Sequence, residues 1–273
     1  MLLLKILVVL AVLAALGVLA IVWAFQNWGI YKFDHTRAEP AQLGFTNVKV
    51  VRFPSEDGYD ASAWIAPPRD EQQPVVLAFH GNFASVGPSL LRLKPLIERG
   101  YGVAMLVYRD SSGEGGVPTE EAFARDARAM YDQLDRLLGT TVPANRRVLH
   151  GFSLGSSIAS GLASERPAAG LVLEASFDHC CRWYTQRLRG LPMCALMWRE
   201  RHDTIDKLAN VTIPMLFLHG ALDDTIRIEW GRLLFDSVRG EKRFVTFDRG
   251  HHADLADFGA VDEVAKFVAS LHR

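Results

Sequence analysis

The residues best suited to chemistry lie in Val148 to Ala163, VLHGFSLGSSIASGLA, where Ser153 is bracketed by Gly151 and Gly155. An apolar run ahead of it reads as a strand and a small-residue run behind it as a helix, so the serine stands at a one-residue corner. Such a corner strains the serine backbone, and the flanking glycines let strand and helix pass closely. The hydroxyl is thereby lifted clear of the sheet at the positive end of a helix, where an oxyanion is stabilised. Gly-x-Ser-x-Gly also describes a glycine-rich turn before a core helix, so the partners decide. A serine hydroxyl needs a base to take its proton, and the base needs an acid to orient it. Downstream, the apolar run Met215 to Leu218 leads into His219-Gly220-Ala221-Leu222-Asp223-Asp224, and Phe244 to Phe247 leads into Asp248-Arg249-Gly250-His251-His252-Ala253-Asp254. Either aspartate can be the acid, or can cap the following turn instead. Spacing into the last helix favours His252 as base, and the preceding Gly250 favours His251 as the alternative.

These residues need a scaffold. Length and composition, 273 residues of which 49% are hydrophobic, suit one α/β domain with extras. Thirty basic residues against 31 acidic ones leave no basic excess for nucleic acid. From Val75 onward, apolar runs alternate with helical segments: Val75 to Phe79, Val103 to Tyr108, Val148 to His150, Leu171 to Glu174, Met215 to Leu218 and Phe244 to Phe247 are the strands. Continuous apolar strands separated by helices imply a mostly parallel sheet covered on both faces. Helices are expected over Leu90 to Arg99, Thr119 to Leu138 and about Ala253 to Leu271. Ahead of them, Asn47 to Phe53 and Ala61 to Ala66 alternate around Glu56-Asp57-Gly58 as a hairpin. The interval Phe177 to Pro214 is too long for a simple crossover. Its aromatic and basic residues read as a small helical cap over the strand ends, where ligands bind in such sheets.

Ile6 to Phe25 is an uninterrupted apolar run. Twenty helical residues rise about 30 Å, the hydrocarbon thickness of a bilayer. Trp23, Trp28 and Tyr31 fall where interfacial aromatics belong. No clean small-x-small cleavage site follows, so the run reads as a retained anchor. Lys5 and the α-amino group on one side, against Lys32 and Arg37 among Asp34 and Glu39 on the other, favour a cytoplasmic tail with the domain outside. Residues 28–46 read as a juxtamembrane connector. Cys180, Cys181 and Cys194 show neither a disulfide framework nor zinc spacing, and are expected as buried apolar side chains. A bridge from Cys194 to one of the other two is the alternative in an oxidising compartment.

Four patches resemble a membrane-anchored branch of the α/β-hydrolase superfamily: His80-Gly81-Asn82; Tyr108-Arg109 with Ser112, Gly113 and Gly116-Val117-Pro118-Thr119-Glu120; the Gly151 to Gly155 elbow; and His219-Gly220 with Asp223. The stretch Arg201 to Leu208 resembles the end of that branch's cap. The resemblance implies an α/β-hydrolase fold with about eight strands, an N-terminal transmembrane helix at 1–27 and a hydrolase domain at 47–273 with a cap insertion near 177–214. It implies Ser153 as nucleophile and Asp223 as acid, with His252, or His251 as the alternative, as base, and an oxyanion hole built from the N–H of Leu154 and of Asn82 or Phe83. It also implies ester or thioester hydrolysis through an acyl-serine, without metal or organic cofactor, on acyl or lipid-like substrates. A peptidase or amidase, and a catalytically silent binding protein, are the competing classes. Two departures bear on pocket shape: Asp110 stands where the branch has glycine, and Phe83 where it has a small residue.

Overall fold

The computed structural model describes residues 1–271. Helix α1 (Leu2–Trp28) is followed by an irregular stretch and the hairpin β1 (Lys49–Pro54) and β2 (Asp60–Ala66). Then come β3 (Val75–Phe79), α2 (Val86–Arg92), α3 (Lys94–Glu98), β4 (Gly102–Val107), α4 (Glu120–Asp132) and α5 (Leu134–Leu138). The elbow follows as β5 (Arg147–Phe152) and α6 (Leu154–Glu165), with β6 (Gly170–Glu174) behind it. The cap is α7 (Cys180–Arg187), α8 (Met193–Leu196) and α9 (Thr204–Leu208). The chain closes with β7 (Met215–Gly220), α10 (Ile228–Ser237), β8 (Lys242–Phe247) and α11 (Ala260–Ser270).

The eight strands form one sheet in the order β1-β2-β4-β3-β5-β6-β7-β8. Only β2 runs against the rest: β1 and β4 both pair with it antiparallel, and β3 to β8 pair in parallel. The inner strands are buried along their whole length, as their unbroken apolar runs require. Their side chains alternate between two cores. Leu77, Leu106, Leu149 and Leu173 face the layer of α4 and α6, whereas Val76, Val103, Val148 and Val172 face that of α2, α3 and α11.

Three expected helices are shorter than their periodicity suggests. The Leu90 to Arg99 segment is two helices, because Pro95 cannot donate to a continuing ladder and the chain turns at Leu93. Thr119 to Leu138 likewise splits at Gln133, with Thr119 capping α4 by accepting the Ala122 N–H at 3.0 Å. The last helix starts at Ala260, not Ala253. Gly259 takes a left-handed conformation, and Leu255–Phe258 is one 3-10 turn, which leaves the histidine loop free of helix.

The N-terminal region departs most from expectation. Helix α1 is long and apolar enough to cross a membrane, and it is exposed from Leu2 to Ile21. Tyr31, expected among interfacial aromatics, is instead 7% exposed inside the domain, together with Ile30 and Phe33. Phe33 stacks on Tyr31 and meets the rings of His80, Tyr108 and Phe123. The segment read as a connector is therefore a strap across the hydrolase core. The Trp28 side chain lies outside the described residues.

Candidate active site

Ser153 has φ 52° and ψ −118°, the strained backbone that the corner demands. Its N–H donates to the Glu174 carbonyl at 2.9 Å, which pins the corner to β6. The two glycines are required by contact. A Cβ on Gly151 would lie 2.4 Å from the Gly155 carbonyl oxygen, and one on Gly155 would lie 2.0 Å from that of Phe79. Helix α6 thus passes against β3 at backbone distance, directly below the loop Gly81-Asn82-Phe83. A Cβ on Gly81 would meet the Ser153 Cβ at 3.3 Å, so that loop lies against the serine.

The sheet brings Ser153, His252 and Asp223 into one chain of contacts. His252 Nε2 is 3.0 Å from Ser153 Oγ, and its Nδ1 is 2.8 Å from Asp223 Oδ2. An ionised carboxylate only accepts, so Nδ1 carries the proton and Nε2 presents its lone pair to the serine. Asp223 Oδ1 accepts the N–H groups of Thr225 at 3.0 Å and Ile226 at 2.8 Å, fixing the carboxylate plane. Burial alone would raise the Asp223 carboxyl, but His219, His252 and the Ile226 N–H outweigh burial and hold it well below its ordinary value.

His251 and Asp224 are not part of this chain. Asp254 accepts the His251 N–H at 2.6 Å and lies 3.1 Å from its Nδ1, which turns the exposed ring away as its neighbour turns in. Asp224 is exposed, its Oδ1 only 3.4 Å from the Thr225 hydroxyl. His80 is buried with Nδ1 2.9 Å from the Gly81 carbonyl, and burial pushes its imidazole down to about 4. His150 Nε2 lies 3.4 Å from Glu174, which also pairs with Arg92.

Leu154 is the first residue of α6, so its N–H has no acceptor within the helix, and the residue lines the cavity at Ser153. Phe83 follows the loop with φ 59°, and Asp110 has φ 62°. Both departures from the resembling branch therefore stand at left-handed positions, where only glycine escapes the Cβ penalty. The Asn82 side chain is committed elsewhere: its amide donates to the Ile30 carbonyl at 2.8 Å and accepts the Lys32 N–H at 2.9 Å. Asn82 ties the oxyanion loop to the strap.

A cavity of about 540 Å³ opens over Ser153, Leu154 and His252. Phe83, Pro88, Phe152, Phe177, Trp183 and Ile226 give it mainly apolar walls, while Arg92 and Arg187 supply cationic points. Arg92 stacks over the Phe152 ring at 4.0 Å. Of the cap helices, α7 walls the cavity with Cys180, Trp183, Tyr184 and Arg187, and α8 packs on α7. Cys181 and Cys194 are joined in a disulfide there with Cα atoms 4.8 Å apart, so the expectation of three unbridged side chains is corrected. The physical reason is that α8 folds back along α7, bringing residues 13 apart into bonding range. Cys180 is free and lines the cavity, where burial pushes its thiol up to about 12.

Behind α6 lies a buried polar network that reading the residues in sequence did not assign. Lys207 Nζ donates to Glu120 at 2.6 Å and to the Ser157 hydroxyl at 2.7 Å, and Ser157 lies 3.3 Å from His202 Nδ1. His202 Nε2 meets the Tyr31 hydroxyl at 2.7 Å, and that hydroxyl donates to Glu200. Every member is satisfied if His202 is neutral, and burial does push its imidazole down to about 4. Burial would raise Glu120, yet His202, Lys207 and the His202 N–H bring its carboxyl down to about 2. The network locks strap, cap and α4 together. Glu120, His202 and Lys207 fall within patches of the resemblance; nothing in the sequence pairs them with Tyr31. Among the described residues, no group of three or more His, Cys, Asp or Glu side chains is arranged to hold a metal ion.

The sheet order, the strained serine corner and the histidine loop after the last strand are those of the α/β-hydrolase fold. No family model matches the sequence. Among curated proteins, the chain is 28% identical over 242 residues to an uncharacterized protein of Mycobacterium tuberculosis, covering 87% of this chain and 84% of that one. It is 27% identical over 219 residues to alpha/beta hydrolase domain-containing protein WAV2 of Arabidopsis thaliana, covering 73% and 70% of the two chains. Among solved structures, the Pyrococcus furiosus esterase Pf2001 superposes with TM-score 0.68 at 16% identity over 88% of this chain and 99% of that one. An acylaminoacyl peptidase of Pyrococcus horikoshii superposes with TM-score 0.65 at 17% identity over 81% of this chain and 41% of its own. At such identities these structures show the fold, and the relatives support a hydrolase.

Proposed function

We propose that the protein is a membrane-anchored serine hydrolase that cleaves carboxylic ester or thioester bonds of acyl, lipid-like substrates through an acyl-serine. The observation that carries the reading is the Ser153, His252, Asp223 chain, at 3.0 and 2.8 Å, opening into a mainly apolar cavity. His252 Nε2 takes the Ser153 proton as Oγ attacks the acyl carbon, and buried Asp223 balances the imidazolium. The developing oxyanion is met by the N–H of Leu154 and that of Phe83 or Asn82. Collapse returns the proton from His252 to the departing alkoxide or thiolate. Water then attacks the acyl carbon as His252 takes one of its protons; the acyl–Oγ bond breaks, the acid leaves, and His252 passes that proton to Ser153 Oγ. Apolar walls over the serine suit an acyl chain, since burying each CH₂ contributes about 0.8 kcal/mol.

The exposed apolar length of α1 supports the anchor, and the disulfide supports an oxidising, non-cytoplasmic side for the domain. Because Val22 and Gln26 are buried, we place the boundary between anchor and domain near residue 21, with the strap inside the hydrolase domain. The deciding experiment treats the full chain with a serine-directed fluorophosphonate, then screens acyl esters, acyl thioesters and aminoacyl amides of graded length in detergent. Labelling confined to Ser153 and activity sustained as the acyl chain lengthens are expected. An unlabelled Ser153 in folded protein sinks the hydrolase reading, and faster turnover of aminoacyl amides moves it to a peptidase.

A further inference from the structure

The end of α1 is clamped to the cap. Phe25, the last residue of the apolar run, packs edge-on against Tyr184 with ring centroids 5.3 Å apart, and Tyr184 is a wall of the cavity above Ser153. One residue on, Gln26 is buried, and its Oε1 accepts the N–H of both Trp198 and Arg199 at 2.9 Å. Ile30, only a turn further along, already lines the cavity. With α1 in a bilayer, these contacts hold the cap segment 188–199 at the level where hydrocarbon meets headgroups.

The chemistry of that segment suits the level. Leu188, Leu191 and Trp198 are 39%, 52% and 46% exposed, although each is large and apolar. Arg189 and Arg199 alternate with them, and Arg187 directly precedes them. No acid occurs between Arg182 and Arg199, and the next one, Glu200, is buried and turned inward to Tyr31. Gly190, at the tip of the turn between α7 and α8, faces open space. Tryptophan with arginine is the composition of an interfacial surface, and charge of one sign selects anionic lipid.

We propose that the outer face of the cap, Leu188 to Arg199, docks on the anionic phospholipid leaflet that holds α1, so that the cavity mouth rests on the surface from which an acyl chain enters. The proposal rests on the anchor reading of α1. Leu188 and Leu191 insert below the headgroups, Trp198 sits at their level, and the arginines meet lipid phosphates. A lipid surface fits better than a protein partner because α1 sets this face in one plane, about one helical turn beyond the exposed apolar run that ends at Ile21.

The test places the full chain in detergent, in phosphatidylcholine nanodiscs, and in nanodiscs containing phosphatidylglycerol, and follows amide hydrogen exchange across 188–199. Slower exchange in the phosphatidylglycerol discs than in either other medium is expected. Arg189→Glu and Leu191→Glu should each erase that slowing, loss of the Arg189 charge alone weakening docking about fivefold. In the same variants, turnover of a bilayer-resident acyl ester should fall by a similar factor while that of a soluble short-chain ester is unchanged, because neither residue lines the cavity. Equal exchange in all three media overturns the proposal, as does a chain that alkaline carbonate strips from vesicles. Slowed exchange without turnover of any ester leaves docking standing and removes the hydrolase reading alone.

Discussion

Replacing Asp223 by asparagine tests the site at its most constrained atom. Asp223 Oδ1 holds two backbone N–H groups, from Thr225 and Ile226, while Oδ2 holds the His252 Nδ1–H. An asparagine has one oxygen. If that oxygen keeps both backbone bonds, the NH₂ group faces His252 Nδ1 at the former 2.8 Å, where two donors cannot meet. The imidazole must then move its proton to Nε2, toward Ser153, and it ceases to be a base. Loss of the correct tautomer costs about 10⁴ in kcat, or roughly 5.5 kcal/mol. The escape is to flip the amide, which leaves the buried Ile226 N–H and the part-buried Thr225 N–H unpaired at about 1 to 3 kcal/mol each. The lower end of that cost sets a floor of about 30-fold. Asp223→Asn is therefore expected to retain its fold by circular dichroism and to lose between about 30-fold and 10⁴-fold of kcat on a short chromogenic ester. The neighbouring Asp224→Asn, on an exposed carboxylate, should stay near wild-type rate. A folded Asp223→Asn within fivefold of wild type would refute the assigned hydrogen-bond chain.

Four further outcomes bear on the same architecture. His252→Ala should reduce turnover by about 10⁴ or more while His251→Ala changes it little, and equal mild losses would mean that neither ring serves Ser153. Gly155→Ala forces a Cβ to within 2.0 Å of the Phe79 carbonyl oxygen, so it should destabilise the fold by about 1 to 3 kcal/mol in urea titration and also depress kcat by moving the oxyanion loop; unchanged kcat and midpoint would contradict the close passage. Cys194→Ser opens a bridge spanning 13 residues, expected to contribute about 3 kcal/mol; faster proteolysis within 182–199 and a lower melting temperature are expected, and identical melting with and without reductant would count against the bridge. His80 and His202 are held near 4 when folded but take a proton near 6.5 when unfolded, so their contribution is full above pH 6.5 and is lost as pH falls through 4. Denaturant midpoints should drop across that window, and ring resonances of either histidine titrating near 6.5 in folded protein would falsify the assignment.

Much of the frame was legible because it follows from local physics. Each inner strand lies buried between two helical layers, so Val75 to Phe79 and its counterparts announce themselves as unbroken apolar runs. The serine corner is equally local, since a one-residue strand-to-helix turn with backbone contacts of 2.0 and 2.4 Å allows only glycine at 151 and 155. Helix ends were less legible. Gln133 and Gly259 interrupt stretches whose apolar spacing continues past them, and periodicity carries no record of where a hydrogen-bond ladder stops.

Ser153, its elbow and the loops that carry an acid and a histidine were determined by the sequence alone, because strand, corner and helix constrain residue types over short spans. The choice between His251 and His252 was not, because adjacent residues on a loop face opposite ways, and it is Asp254 holding one ring outward and Asp223 holding the other inward that decide it. The same holds for Asp223 over Asp224, which rests on two backbone N–H groups of the following turn. The strap and the disulfide were decided wholly by tertiary structure. Tyr31 reaches partners 169 and 171 residues away, and Cys181 meets Cys194 only because α8 doubles back on α7. Contacts at such separations leave no period in the sequence; they exist once the sheet has set the cap and the end of α1 side by side.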